Sequence, residues 1–401
     1  MKEIKTLAII WDQHLWGGVD SYLAYLLNSK AFEKIDVTIY TNIDNQGLPR
    51  LEKLLEKKVE FVKYSNIINL KIQNKILRKV LFFFKPLLFL ISFIRFKFLF
   101  FKKNYDVFLA QCGGYGSVRE EMAALLSLNK NEIKIISMVI HHACTYAPPF
   151  LNLFLRLINY FLTLKLSSVI CISKATRDSV FHKSNLFDNQ LLQNLVIYNG
   201  VKKKDDNTNN KKQSDEIIKV GMISRIEKYK GHEDLISAVN ILPKTYFEKF
   251  KFYLIGGGEK KEIARLRNLI DKNDLKNHIF IKGYVDKKID AIIKDFDLVL
   301  SLTRTFEGFG LSLAESIALE VPVITTEVGA IKEYLTKDQC EIIDPSSPNQ
   351  IKDALIRFYD DKEKWKLRAI KAKIYLEENF SSEIMAANYL NHFNAEIRNE
   401  L

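Results

Sequence analysis

Cysteine is scarce in this chain and scattered along it. The four that occur, Cys112, Cys144, Cys171 and Cys340, form no CxxC pair, and each lies in or beside an apolar stretch. That excludes a disulfide framework and predicts reduced, structural thiols in a cytosolic compartment. Low-complexity sequence is missing too, apart from residues 202–215, KKKDDNTNNKKQSD, which contain no apolar residue. The stretch MKEIKTLAIIWDQH has only a short apolar run before Asp12, so it reads as a first β-strand and not as a signal peptide. What remains is ordinary globular composition, 47% hydrophobic and 27% charged over 401 residues. That is too apolar for disorder and long enough for two domains.

The positive charge is uneven. Residues 1–200 hold 26 Lys and Arg against 15 Asp and Glu, whereas residues 201–401 hold 34 against 33. A basic first half calls for an anionic partner, either nucleic acid or an acidic membrane surface. Within it, residues 71–103 carry nine Lys or Arg, no Asp or Glu, and nine Phe between Phe82 and Phe101. The run is long enough to suggest a membrane span, but Lys85, Arg95 and Lys97 fall inside it and Pro86 breaks the helical pattern. Each central charge costs about 2.5–3.5 kcal/mol on insertion. An interfacial segment is therefore expected; a core helix with solvated lysines is the plainer alternative. Lys71, Lys75, Arg78 and Lys79 recur at helical spacing and predict a basic stripe for an anionic bilayer.

The first half alternates apolar, β-branched runs with helical patterns. Strands are expected at Thr6–Ile10, Asp36–Tyr40, Val59–Val62, Val107–Ala110, Ile133–Ile140, Val169–Ile172 and Leu195–Tyr198, with a helix over Asp20–Leu27. After 202–215 the alternation resumes, with strands at Ile217–Met222, Phe252–Ile255, Ile279–Ile281, Leu298–Leu302 and Val323–Thr325. Such alternation predicts parallel sheets with crossover helices. The expected organisation is a Rossmann-like domain over 1–201, a linker over 202–215, a second such domain over 216–380, and a C-terminal helix over 381–401 packing back on the first.

The most informative segment is Ser301–Glu333, SLTRTFEGFGLSLAESIALEVPVITTEVGAIKE. A strand leads into a loop containing Glu307, Gly308, Phe309 and Gly310, and a helix opens near Leu311. Glycines let the backbone approach a ligand, and the free amides of a helix start suit a phosphate. Glu307 in the loop and Glu315 on the helix can then hold hydroxyls on either side of a pyrophosphate. Arg225 and Lys230, in VGMISRIEKYKGHEDLISA, are cations suited to a diphosphate. Gly256–Gly258, in FYLIGGGE, lacks the full G-x-G-x-x-G spacing of a dinucleotide site.

The Glu307-x7-Glu315 spacing inside EGFGLSLAE, followed by Pro322-Val323, resembles the signature of retaining GT-B glycosyltransferases, family 4 in particular (glycosyl transferases group 1). The resemblance covers most of residues 4–380 and is weak across about 65–130. It implies an α/β GT-B fold, two doubly wound Rossmann-like domains facing across a cleft. It assigns the sugar hydroxyls to Glu307, the ribose to Glu315, and the diphosphate to Arg225, Lys230 and the helix start at Gly308, Phe309, Gly310 and Leu311. Gly257 lines the nucleotide, and Tyr284, in IFIKGY, lies near the base. Trp16-Gly17-Gly18 is similar to the loop whose amide reaches the donor phosphate, which makes Gly18 a donor residue; the family often has Glu or Ala where Asp20 stands. His141 and His142 end the strand ISMVIHH where the family carries a histidine near the sugar. Strand alternation lets one of them face the site, and His142 is the preferred one. Two departures are visible: Glu320 stands where the family commonly has Gly, and a Gly-Gly pair is reduced to Gly329-Ala330. Asp295-Phe296-Asp297 mimics a D-x-D metal motif, but it precedes a strand and no His, Cys, Asp and Glu cluster accompanies it, so no metal and no cofactor are expected.

The reading that follows is a sugar transfer with retention from a nucleoside diphosphate sugar, UDP first among donors, to a lipid-linked or surface-polysaccharide acceptor. Its place is the inner face of the cell membrane, held peripherally through anionic lipid, and nucleic acid is not among its partners. The alternatives are a nucleotide-sugar epimerase or phosphorylase of similar fold, and, from the charge alone, a nucleic-acid-binding protein.

Overall fold

The structure is a computed structural model that describes residues 3–13, 17–68, 80–116, 119–145, 149–183, 192–204, 217–285 and 288–399. The chain divides into two compact units, Met1–Gly200 with Glu383–Leu401, and Val201–Ser382.

The first unit is built on seven parallel strands: β1 (Thr6–Trp11), β2 (Asp36–Asn42), β3 (Glu60–Tyr64), β4 (Tyr105–Cys112), β5 (Ile133–Ile140), β6 (Ser168–Cys171) and β7 (Gln193–Val196). Their order is β3-β2-β1-β4-β5-β6-β7. The inner strands β1, β4, β5 and β6 are buried along most of their length, as strands covered by helices on both faces must be. The last helix, Ser382–Asn399, belongs to this unit. Its His392 Nε2 lies 2.8 Å from Ser168 Oγ, Asn394 accepts from the Ile4 amide at 3.1 Å, and Tyr389 meets the Tyr22 ring edge-on.

The second unit carries β8 (Ile218–Ile223), β9 (Phe250–Ile255), β10 (Ile279–Gly283), β11 (Leu298–Ser301), β12 (Val323–Thr326) and β13 (Glu341–Ile343), in the order β10-β9-β8-β11-β12-β13. All its pairs are parallel. β8 passes so close to Phe296 that a Cβ on Gly221 would sit 2.3 Å from the ring. In both sheets the strand order reverses beside the first strand, between β1 and β4 and between β8 and β11. Open α/β sheets bind ligands at the carboxyl ends of strands at such a switch point. Each unit by itself is a doubly wound, Rossmann-like sheet.

Most of the linker over 202–215 lies outside the described residues, as do Lys71, Lys75, Arg78 and Lys79 of the expected basic stripe. Beyond them a helix runs over Lys85–Leu99, with Pro86 in its first turn, where no amide is needed. It buries only Phe89, Ser92 and Phe96. The helix thus has a narrow buried stripe and a broad exposed remainder. Among the described residues no helix is long and apolar enough to cross a membrane.

Candidate functional site

The loops leaving β8 and β11 emerge side by side at the switch point of the second unit. Arg304 fastens them together. Its guanidinium grips Asp234 with two bonds of 2.7 Å, its backbone amide donates to Tyr229 O at 2.6 Å, and it reaches Glu233 at 3.3 Å. The Asp234 carboxylate holds the Arg304 pKa above its ordinary value. A fork-to-fork pair of this kind fixes orientation as well as charge.

That clamp sets Lys230 against Glu307. Lys230 Nζ lies 2.7 Å from Glu307 Oε2, with side chains 12% and 15% exposed, and Thr303 Oγ1 donates to the same oxygen at 3.0 Å. Lys230 also stands over the Tyr229 ring at 5.1 Å. Arg225 is more open. It pairs with Glu227 at 2.7 Å and donates to Tyr229 OH at 3.2 Å. Next to Lys230, His232 is buried, which pushes its pKa down to about 4, the Lys230 charge adding to the effect.

The helix Leu311–Ala318 starts from Gly310, whose φ is 82°, and no side chain caps it. Gly310 has no side chain to cap it, and a helix start of this kind suits an anion. Ser312 Oγ donates to Ile223 O at 2.9 Å and ties this start to the end of β8. Phe309 is buried against Tyr334, rings 4.8 Å apart, and Tyr334 OH donates to Phe309 O at 2.7 Å. Gly308 and Leu311 are buried, so this loop packs closely against the core. Gly329 (φ 57°) passes so close that a Cβ there would lie 2.1 Å from Glu307 O, and Ala330 donates its amide to that oxygen at 2.9 Å. The single glycine of Gly329-Ala330 therefore suffices for the close approach, because Ala330 has an ordinary φ of −77°.

The other donor-side candidates have different surroundings. Gly257 donates no strain and accepts from the Ile226 amide at 2.8 Å, in the loop beside Arg225. Its Cβ position is open, whereas one on Gly258 would meet Ile226. Tyr284 is exposed just past β10. Glu315 is 3% exposed, packed into the helix layer. Glu320 takes the left-handed conformation, φ 57°, that closes the helix, and its carboxylate pairs with buried Lys373 at 2.8 Å. A glycine is common at such a helix end for that φ; here the ion pair offsets the strain.

In the first unit, Gly17 and Gly18 open the helix Gly18–Leu27 after β1. Asp20 is fully buried and accepts from the Gly17 amide at 3.0 Å and Gln13 Nε2 at 3.1 Å. Burial raises its pKa to about 7, despite those bonds. Trp16 lies outside the described residues. His141 and His142 follow β5 directly and part company. His141 turns inward, its Nε2 2.7 Å from Gln111 Oε1 and its ring edge-on to Tyr22 at 4.7 Å. Burial lowers its pKa to about 3, so it is a neutral core imidazole. His142 is half-buried beside Gly114.

Thr303, Tyr229, Arg304 and Asp234 were not singled out by sequence. Thr303 and Arg304 stood inside SLTRTFEGFG, and their place between a strand end and Glu307 was the one available signal. The Arg304–Asp234 pair spans 70 positions and left no local pattern.

Comparison with known proteins agrees with this architecture. Residues 202–373 match the family described as "Glycosyl transferases group 1". An uncharacterized glycosyltransferase of Methanocaldococcus jannaschii is 27% identical over 224 residues, 54% of this chain and 55% of that one. The O-antigen biosynthesis glycosyltransferase WclY of Escherichia coli is 28% identical over 209 residues, 50% and 55% respectively. The chain spans about half the length of the curated relatives it matches. Among solved structures, Anabaena Alr3699/HepE in complex with UDP and glucose superposes with a TM-score of 0.73 at 17% identity, over 98% of this chain and 99% of that one. The second unit is thus similar to the glycosyl transferases group 1 family, and the chain as a whole has the GT-B fold.

Proposed function

We propose that this chain is a metal-independent, retaining glycosyltransferase of family 4 that moves a hexose from a UDP-sugar to a glycan or lipid-linked acceptor of a surface polysaccharide. The observation that carries the reading is the Lys230–Glu307 pair beside the uncapped helix start at Gly310, at the switch point of the second sheet. Cation, carboxylate and helix amides in one place suit a diphosphate joined to a hydroxyl-rich group. Lys230, Arg225 and the amides at Gly310–Leu311 take the diphosphate and stabilise it as it leaves. Glu307 takes sugar hydroxyls and Glu315 the ribose. Gly257 and Tyr284 border the nucleotide, Gly18 offers an amide to the phosphate, and His142 helps position the sugar. The names of the relatives support the substrate class: one acts in O-antigen biosynthesis, and one structure holds UDP and glucose. A peripheral place on the inner membrane face belongs to the same reading, since a lipid-linked acceptor is met there.

The test is release of nucleoside diphosphate by the purified chain from a panel of donors, with crude lipid extract as acceptor. Acceptor-dependent release from a UDP-sugar, unaffected by EDTA and with the anomeric configuration kept, is expected. Release from no donor refutes the reading, and loss of activity in EDTA refutes metal independence.

A further inference from the structure

Between Glu60 and Asp106, and again between Glu132 and Asp178, the sequence contains no acidic residue. The fold brings the helices of these two stretches together. Lys85–Leu99 and Pro149–Lys165 both pack on the short helix Glu120–Ser127 in the first unit and meet each other through their aromatic side chains. The Phe83 and Phe150 rings lie 5.0 Å apart, tilted, near their N-terminal ends, Phe89 meets Phe154 edge-on at 5.6 Å, and the Lys97 charge bears on Lys165 near the other end. Each helix buries a narrow stripe and leaves a broad apolar one outside. Leu153 is 80% exposed, Phe98 77% and Phe83 66%, and Leu87, Leu157 and Phe161 join them.

An apolar face of this extent marks a docking surface. The charge around it decides what docks. Lys85, Arg95, Lys97, Arg156 and Lys165 belong to the two helices and Lys102 and Lys103 follow the first; neither stretch supplies a carboxylate, and Arg95 is answered by Glu120 of the helix between them at 2.9 Å. A two-fold dimer through this face would set it against its own copy, cation near cation with nothing to pair them. An anionic bilayer supplies both needs at once, acyl chains for the aromatic and leucine side chains and phosphates for the lysines and arginines. Lys85 already stands over the Phe82 ring, and Lys102 over Phe101, so charge and apolar surface adjoin as they do at a lipid interface.

We infer that the paired faces of Lys85–Leu99 and Pro149–Lys165 insert shallowly into an anionic phospholipid bilayer and hold the protein there mainly by apolar contact. The inference gives the membrane part of the proposed function its surface, and it stands on geometry separate from the sugar site.

Flotation of the full chain with vesicles tests it. The chain should float with phosphatidylcholine vesicles containing phosphatidylglycerol, and binding should weaken in 0.5 M salt without vanishing, because the apolar contribution is not screened. Leu153→Ser with Phe98→Ser should lower partitioning at least roughly a hundredfold, since each fully buried large side chain is worth about tenfold or more. Both side chains are exposed, so thermal unfolding and UDP binding by calorimetry should match the unaltered chain. Lost flotation with UDP binding kept supports the surface; flotation kept by the double variant, or absent in the unaltered chain, overturns it. A dimer in solution that the double variant splits, without any vesicle binding, shows that the face serves a second copy and also overturns it. Absent UDP binding in a chain that floats would refute the sugar-transfer reading alone.

Discussion

The Lys230–Glu307 pair makes a prediction in which two substitutions act in opposite directions. In the free protein the carboxylate proposed to hold sugar hydroxyls is bound to the cation proposed to hold phosphate, 2.7 Å away and largely screened from water. A diphosphate must draw Lys230 from Glu307 to use it. Lys230→Ala removes a charge-assisted bond worth roughly 1.5–3 kcal/mol, so UDP affinity should fall about 10- to 150-fold. Glu307→Gln removes the competitor and leaves Lys230 unpaired. UDP, which has no sugar for Glu307 to hold, should then bind about tenfold tighter, while transfer from the UDP-sugar is nearly abolished. Placing Glu307→Gln in the Lys230→Ala background should change UDP affinity little, because the competition it relieves is already gone. Calorimetric titration of UDP at low and moderate salt reads all four proteins, and circular dichroism verifies that each is folded. Lys230→Ala also leaves Glu307 with Thr303 as a hydroxyl donor, so a stability loss of about 1–3 kcal/mol is expected beside the binding effect. If Glu307→Gln weakens UDP binding as much as Lys230→Ala does, the two residues do not compete and the assignment of phosphate to Lys230 is wrong.

Two further outcomes follow from Asp20 and Gly329. Asp20 has a folded pKa of about 7 against 3.8 unfolded, so the folded state binds the extra proton and Asp20 contributes stability at low pH that is lost as pH rises from about 4 to about 7, up to about 4 kcal/mol; in Asp20→Asn, urea unfolding at pH 5 and pH 8 should show that fall reduced, and an identical pH dependence in both proteins would refute it. Gly329→Ala should put a Cβ against Glu307 O and push the Glu307 loop outward, lowering kcat more than tenfold; a variant of normal activity would mean that the Glu307 backbone need not be held where it is.

The sheets were legible because each inner strand is a short β-branched run between polar turns, and each expected strand has a counterpart within about two residues. β13 was missed because Glu341–Ile343 is three residues long and carries no pattern of its own. β7 falls at Gln193–Val196, two residues ahead of the run Leu195–Tyr198, because pairing with β6 sets its register and tertiary context overrides propensity. The site was half legible. Glu307, Lys230 and the Gly310 turn are local features with local spacing. The Arg304–Asp234 clamp, the Thr303 bond and the inward turn of His141 come from residues that meet only after folding, and no single-sequence pattern records them.

Glu320 and Gly329-Ala330 show how a departure from a family pattern is judged. In sequence both weaken the resemblance equally, since each replaces a glycine. In the structure they differ. Ala330 has φ −77° and needs no glycine, while its amide does the useful work of holding Glu307 O. Glu320 has φ 57° and does sit where a glycine is favoured, by roughly 1 kcal/mol. Its compensation is the pairing with Lys373, a lysine only 5% exposed. Removing either partner of such a pair is costly, so the two residues hold one another in place. The strain at Glu320 is confined to the far end of the helix whose start faces Glu307, and the loop of Gly308, Phe309 and Gly310 is fixed independently by Tyr334 and Gly329. The helix end can therefore vary while the start at Gly310 keeps its geometry.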